Sequence, residues 1–301
     1  MKFPPFIAYA ILAITSQVSS SAEFRSEPVF ATGAKIEKIS HAFEFTEGPA
    51  VDRRGNVYFT DQPNNRIMKW SPDSGFTTYL EPSGRANGMY FDHRGNLLAC
   101  ADEKNELWSI SPSRKVTVLV KDYQGKLLNG PNDVWVRPDD GAYFTDPLYP
   151  RPYWKRGPKE QDGEHVYFLS RDRKKVQRVA NDLKQPNGII GTPDGRVLYV
   201  SDIGGGKTYA YNIQKDGSLT NKRLFCSLGS DGMTIDHRGN VYLTGKGVTV
   251  FNSAGVQIEH IDIPEPWTAN VCFAGSKRNL LFITAGKSIY TIPTQVHGLT
   301  K

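Results

Sequence analysis

Glu47-Gly-Pro-Ala-Val-Asp-Arg-Arg-Gly-Asn-Val-Tyr-Phe-Thr-Asp61 decides the fold, because the chain writes it again. Asn87-Gly-Met-Tyr-Phe-Asp-His-Arg-Gly-Asn-Leu-Leu-Ala-Cys-Ala-Asp102 is a second copy, and Asp231-Gly-Met-Thr-Ile-Asp-His-Arg-Gly-Asn-Val-Tyr-Leu-Thr244 a third. Weaker copies start at Asn132, Asn187 and Asn270. The six starts are separated by roughly 40 to 55 residues, the length of one four-stranded propeller blade. In the three strong copies a short apolar run leads into Asp-x-x-Gly-Asn, where Gly supplies a positive φ and Asp or Asn bonds the local backbone. A second strand follows (Val57 to Thr60, Val241 to Thr244), then a third (Arg66 to Trp70, Glu106 to Ile110) and a fourth (Phe76 to Leu80, Val116 to Val120).

The sixth copy has strands for only three positions, Ala269 to Phe273, Leu280 to Thr284 and Ser288 to Ile292, before the sequence stops. Lys35 to Ile39, ahead of the first copy, is expected to supply the fourth strand and hide both edges. The fold expected is an all-β, six-bladed β-propeller, its last blade closed by an N-terminal strand. It would occupy residues 23–301 as one domain. Residues 1–22 read as a signal peptide: Lys2 precedes an apolar run from Phe6 to Ile14, and Ser20 and Ala22 fit a cleavage site. The run is short for a bilayer span and no Cys marks a lipid anchor. An exported chain, periplasmic or secreted, without a stable membrane anchor is therefore expected.

Composition narrows the function classes. The net charge of +6 is modest, and the densest basic run, Arg171 to Arg178, lacks the interleaved aromatics of a nucleic-acid surface. It reads as a solvated hairpin edge, and no nucleic-acid partner is expected. Three cysteines without a Cys-x-x-Cys pair exclude a disulfide framework. There is no Gly-x-Ser-x-Gly elbow, and Gly204-Gly-Gly206 has no helix behind it. His93 and His237 share a turn position at the end away from the repeat starts, and His165 reads as a strand histidine.

The repeat starts carry the chemistry. A propeller gathers the beginnings of its innermost strands around a central channel. Here those positions hold Glu47, Asn87, Asn132, Asn187, Asp231 and Asn270, with Asp133 following Asn132. All are oxygen donors, and apolar side chains would fill a channel at lower cost. Two carboxylates in one channel repel unless a cation lies between them. A mixed carboxylate and amide set suits Ca²⁺ best, with Mg²⁺, Mn²⁺ or Zn²⁺ as alternatives. The long segment Asp146 to Glu164, rich in Arg and aromatic residues, falls on the same face.

The sequence resembles the gluconolactonase/regucalcin (senescence marker protein) family, and most closely its exported bacterial gluconolactonase-like members. The resemblance is carried by Glu47-Gly-Pro, Asn65-Arg-Ile-Met-Lys-Trp70, Leu128-Asn-Gly-Pro-Asn-Asp133, Tyr143-Phe-Thr-Asp-Pro-Leu-Tyr149, Gln185-Pro-Asn-Gly188, Leu198-Tyr-Val-Ser-Asp202 and Asp231-Gly-Met-Thr-Ile-Asp236. It implies a lactonase in which Glu47, Asn187 and Asp231 hold the metal and Asp231 doubles as the acid/base residue. Asn132, with Asn87 or Asp133, would contact a small-molecule lactone or ester. The chain departs from some sugar lactonases at Gly130, where those carry Arg. The competing expectation is a non-catalytic propeller that binds a ligand or protein and keeps a structural metal.

Overall fold

The computed structural model describes residue 1 and residues 27–299; the expected signal segment lies outside the described residues. Six four-stranded antiparallel sheets follow one another along the chain. Their innermost strands are Thr46–Val51, Ala86–Phe91, Val134–Val136, Pro186–Gly191, Met233–Ile235 and Thr268–Ala274. Each touches the next, and the sixth touches the first, so the ring closes. The fourth strand of the last blade is Glu37–Ser40, paired antiparallel to Ser288–Pro293, a residue or two later than expected. This strand covers an edge that would otherwise present unpaired backbone groups. A one-turn 3-10 segment, Ile203–Gly205, is the only helical element among the described residues.

The Asp-x-x-Gly-Asn turns close the far end of blades one, two and five in the same way. Asp52 accepts from the Arg54 and Asn56 amides and from the Asn56 side chain, at 2.8–3.0 Å. Asp92 and Asp236 repeat the pattern with Asn96 and Asn240. Charge-assisted bonds of this kind are worth about 1.5–3 kcal/mol.

The core within and between blades is rich in aromatic contacts. Phe59 and Phe282 meet across blades one and six with ring centroids 5.8 Å apart, and Trp135 and Tyr143 stack within blade three. Cys100, Cys226 and Cys272 are buried free thiols, packed as small apolar side chains.

Two devices aim the first residue of a repeat at the axis in every blade but the third. In blades one, two, four and six the ladder slips at that residue, between Glu47 and Ala50, Ala86 and Met89, Pro186 and Ile189, and Thr268 and Asn270. Such bulges bend the strand and redirect a side chain. The other device is the glycine that follows. A Cβ on Gly48 would lie 2.1 Å from the Asn87 carbonyl, and one on Gly232 would lie 1.9 Å from the Asn270 amide carbon. Only glycine lets neighbouring inner strands approach this closely. A buried threonine on the second strand also accepts from backbone amides of the inner strand. Thr244 and Thr284 accept from the Gly232 and Asn270 amides at 2.8 and 3.0 Å.

Candidate active site

Five of the six repeat starts meet at one open cavity of about 300 Å³: Glu47, Asn87, Asn132, Asn187 and Asp231. Phe45 and Gln185, two residues before Glu47 and Asn187, add to its wall, as do Tyr149 and Arg151 from the long loop and Trp267 from the approach to blade six. Asn270 lines a second, smaller chamber, of about 80 Å³, further along the channel, while its amide donates to Glu47 Oε2 at 3.1 Å. Asp133 also lines that second chamber. Its oxygens accept from the Val134 and Ile189 amides at 2.9 and 3.3 Å. The structure thus separates Asp133 from the cavity where it was expected to meet substrate. Successive side chains of an extended chain point to opposite sides, so the neighbour of Asn132 faces away.

Asp231 is the best-held group in the cavity. Its Oδ2 accepts from Trp267 Nε1 at 2.6 Å and its Oδ1 from the Asn187 amide at 2.9 Å. The same Asn187 nitrogen donates to the Tyr149 hydroxyl at 2.9 Å. Alone among the six starts, Asp231 keeps partial exposure; the others are buried. Burial raises the Asp231 pKa to about 6, against the pull of Trp267 and Asn187. Burial, then the charges of Asp231 and Asp133, push Glu47 well above the usual carboxylate range. Burial likewise takes Asp133 up to about 8.

These atoms suit a hard cation. Asn187 Oδ1 and Asn87 Oδ1 are buried and find no hydrogen-bond partner among the described residues. A buried amide oxygen without a partner is costly unless something positive meets it. Among the described residues no three His, Cys, Asp or Glu side chains cluster to hold a metal by themselves. An ion here would therefore depend on amide oxygens as well as on the Glu47 and Asp231 carboxylates.

The long loop is tied down rather than free. Its Arg151 donates to Asp102 Oδ2 at 2.9 Å, Tyr153 donates to the same oxygen, and Trp154 Nε1 donates to the Asp102 carbonyl at 2.7 Å. Arg156 donates to the Leu128 and Asn129 carbonyls. The arginines that could have drawn an anionic substrate are thus engaged within the protein. Asp102 itself departs from its repeat. Asp61, Asp146 and Asp202, at the same position, accept from backbone amides of the segment entering their own blade.

A family model described as SMP-30/Gluconolactonase/LRE-like region matches residues 45–287. The chain belongs to this family. A gluconolactonase of Zymomonas mobilis is 29% identical over 91% of this chain and 85% of its own. A solved gluconolactonase of Xanthomonas campestris superposes with a TM-score of 0.81 at 30% identity, over 87% of this chain and 89% of that one. A calcium-binding regucalcin of Agrobacterium tumefaciens shares the fold, with a TM-score of 0.74 at 18% identity, over 89% of this chain and 96% of its own. As an SMP-30/gluconolactonase member the chain keeps the expected propeller, and five of its six repeat starts converge as read from the repeat. Trp267 was not singled out from the sequence, because it lies in a loop outside the repeat. The signal was available: a lone tryptophan three residues before Asn270, in Pro264-Glu-Pro-Trp267.

Proposed function

We propose that the chain is a lactonase, which opens a lactone or related cyclic ester by hydrolysis at the Glu47–Asp231 cavity. The observation that carries this reading is Asp231: a cavity carboxylate, partly open to water, oriented by two donors, with burial raising its pKa to about 6. A general base works best when its pKa lies close to the working pH. Glu47, Asn187 and Asp231 would hold a divalent cation, Ca²⁺ being the best match to an oxygen-only donor set. When bound, the cation would supply positive charge at the lactone carbonyl and at the oxyanion that develops there.

The residues divide the remaining work. Asp231 takes a proton from water as the oxygen attacks the carbonyl carbon. The ring C–O bond then breaks, and the proton on Asp231 returns to the departing alkoxide, leaving a hydroxy acid. Trp267 and Asn187 hold the carboxylate in one orientation, so that no rearrangement is needed at the moment of reaction. Asn132 and Asn87, on the cavity wall, orient the substrate ring by hydrogen bonds.

The reading is tested by following acid release from a panel of lactones with a pH indicator. The protein is chelated first, and Ca²⁺, Mg²⁺, Mn²⁺ or Zn²⁺ is then restored one at a time. Hydrolysis that returns with a metal supports it, and Asp231→Asn is expected to lower kcat by roughly 10²–10⁴-fold, the usual worth of a positioned base. Folded protein inactive on every lactone with every metal would remove the lactonase reading.

A further inference from the structure

The hydrogen bonds around Asn187 leave one proton unaccounted for, and it lies in the cavity. Asp231 Oδ1 is 2.9 Å from Asn187 Nδ2. A carboxylate can only accept, so the nitrogen of this amide, not its oxygen, faces Asp231. The same nitrogen lies 2.9 Å from the Tyr149 hydroxyl. Its second hydrogen therefore goes to Tyr149, whose oxygen is an acceptor in this contact. The hydroxyl must then aim its own hydrogen elsewhere. No described residue receives a hydrogen bond from it, and Tyr149 lines the cavity beside Asp231 and Asn132.

The position of the ring is fixed from outside the cavity. The Arg151 guanidinium lies over the Tyr149 ring, 5.6 Å from its centroid. Arg151 is in turn anchored by Asp102 at 2.9 Å, and Asp102 is 3% exposed. The adjoining backbone is held as well, with the Leu148 amide donating to Glu164 at 3.0 Å. The hydroxyl is thus a pre-positioned donor rather than a mobile side chain.

We propose that Tyr149 is a catalytic residue of the lactonase reaction: its hydroxyl donates a hydrogen bond to the carbonyl oxygen of the lactone as that oxygen becomes an oxyanion. The role rests on the lactonase reading above. A donor aimed where charge develops strengthens as the oxygen gains charge, so it lowers the barrier more than it tightens ground-state binding. Accepting from Asn187 polarises the phenol O–H further, as in any chain of hydrogen bonds. The phenol stays neutral throughout, and no proton leaves it.

Tyr149→Phe keeps the ring and its arginine contact and removes only the hydroxyl. With the lactone panel, kcat is expected to fall roughly 10²–10³-fold with KM changed by no more than a few-fold. In parallel, calorimetry should show a cyclic phosphonate, a mimic of the tetrahedral anion, binding at least tenfold more weakly. A lactam of the same ring size and the divalent metal alone should bind as they do to the unaltered protein. Unchanged kcat and phosphonate affinity overturn the proposal while leaving the lactonase reading in place. A metal affinity that falls in step with kcat also overturns it, because Tyr149 would then act only by holding Asn187. An unaltered protein that hydrolyses no lactone removes both readings together.

Discussion

A carboxylate works as a base near neutral pH only if its affinity for protons is matched to that pH, and at Asp231 two opposing influences set the match. Burial favours the neutral acid, while the indole N–H of Trp267 and the Asn187 amide favour the anion. Trp267 Nε1 is the closer donor, at 2.6 Å. Trp267→Phe keeps an aromatic wall and removes the donor, so the Asp231 pKa should rise above its value of about 6. The acid limb of the kcat pH profile should move to higher pH by about one unit, since a hydrogen bond to a charged group is worth about 1.5–3 kcal/mol and one unit is about 1.4. An acid limb that stays in place in Trp267→Phe would show that the indole does not tune Asp231. Residue by residue, legibility followed the repeat. Glu47, Asn87, Asn132, Asn187 and Asp231 occupy one repeat position, and the ring geometry brings them together. Asp133 was read with them because it adjoins Asn132, but strand alternation turns it to the other chamber. Trp267 carries no repeat signal, since its place depends on how the loop into blade six folds over the cavity.

At the scale of elements, one position shows how a repeated residue is put to a new use. Asp61, Asp146 and Asp202 end the second strands of their blades and accept from the backbone entering the same blade. In blade two that service passes to Asn65, whose side-chain oxygen accepts from the Ser83 and Arg85 amides at 3.0 and 2.7 Å. Asp102 is thereby free to accept from Gln62, Arg151 and Tyr153. Burial raises its pKa, and Arg151 and the Tyr153 hydroxyl pull it back. Arg85 adds a contact over the Tyr153 ring at 4.3 Å. The sequence shows the loop's length and composition but not this anchor, because the Asp looks like its three counterparts. Asp102→Ala removes a buried acceptor and strands Arg151, a change that costs about 3–5 kcal/mol for a buried pair. Part of that loss should appear as local opening of residues 147–163. Trypsin cleavage after Lys155 or Arg156 should then speed up by about tenfold or more, each tenfold corresponding to about 1.4 kcal/mol of easier opening. KM for the lactone should rise as the Tyr149 and Arg151 wall loosens. Equal cleavage rates in the two proteins would show that the loop is held by other contacts.

For the molecule as a whole, the axis is a liability unless something positive occupies it. Burial raises the pKa values of Glu47, Asp231 and Asp133, Asp231 to about 6 and Asp133 to about 8, and the charge of Asp231 adds to the rise at Glu47 and Asp133. An acid whose folded pKa lies above its unfolded pKa stabilises the fold at low pH and loses that contribution as pH climbs through the folded value. Chelated protein should therefore melt at progressively lower temperature as pH rises from 5 to 8. Asp146, raised by burial to about 7, adds to the slope although it lies away from the cavity. A divalent cation on Glu47, Asn187 and Asp231 would supply the missing charge there, so saturating Ca²⁺ should flatten the Glu47 and Asp231 part of the decline and leave the shares of Asp133 and Asp146. Stabilisation by a ligand that binds only the folded state is about 2.7 kcal/mol at a hundred times Kd. The same linkage, read from the side of the ion, requires Ca²⁺ affinity to fall as pH drops below about 6, where protons compete for Asp231. Melting curves and calorimetric titrations at pH 5, 6, 7 and 8, with chelator and with Ca²⁺, check both halves. A chelated protein whose melting temperature does not fall with pH would mean that the channel tolerates its carboxylates without a cation. A metal at the axis would then have no energetic basis in charge neutralisation, though the hydrolytic role of Asp231 would still stand on its own test.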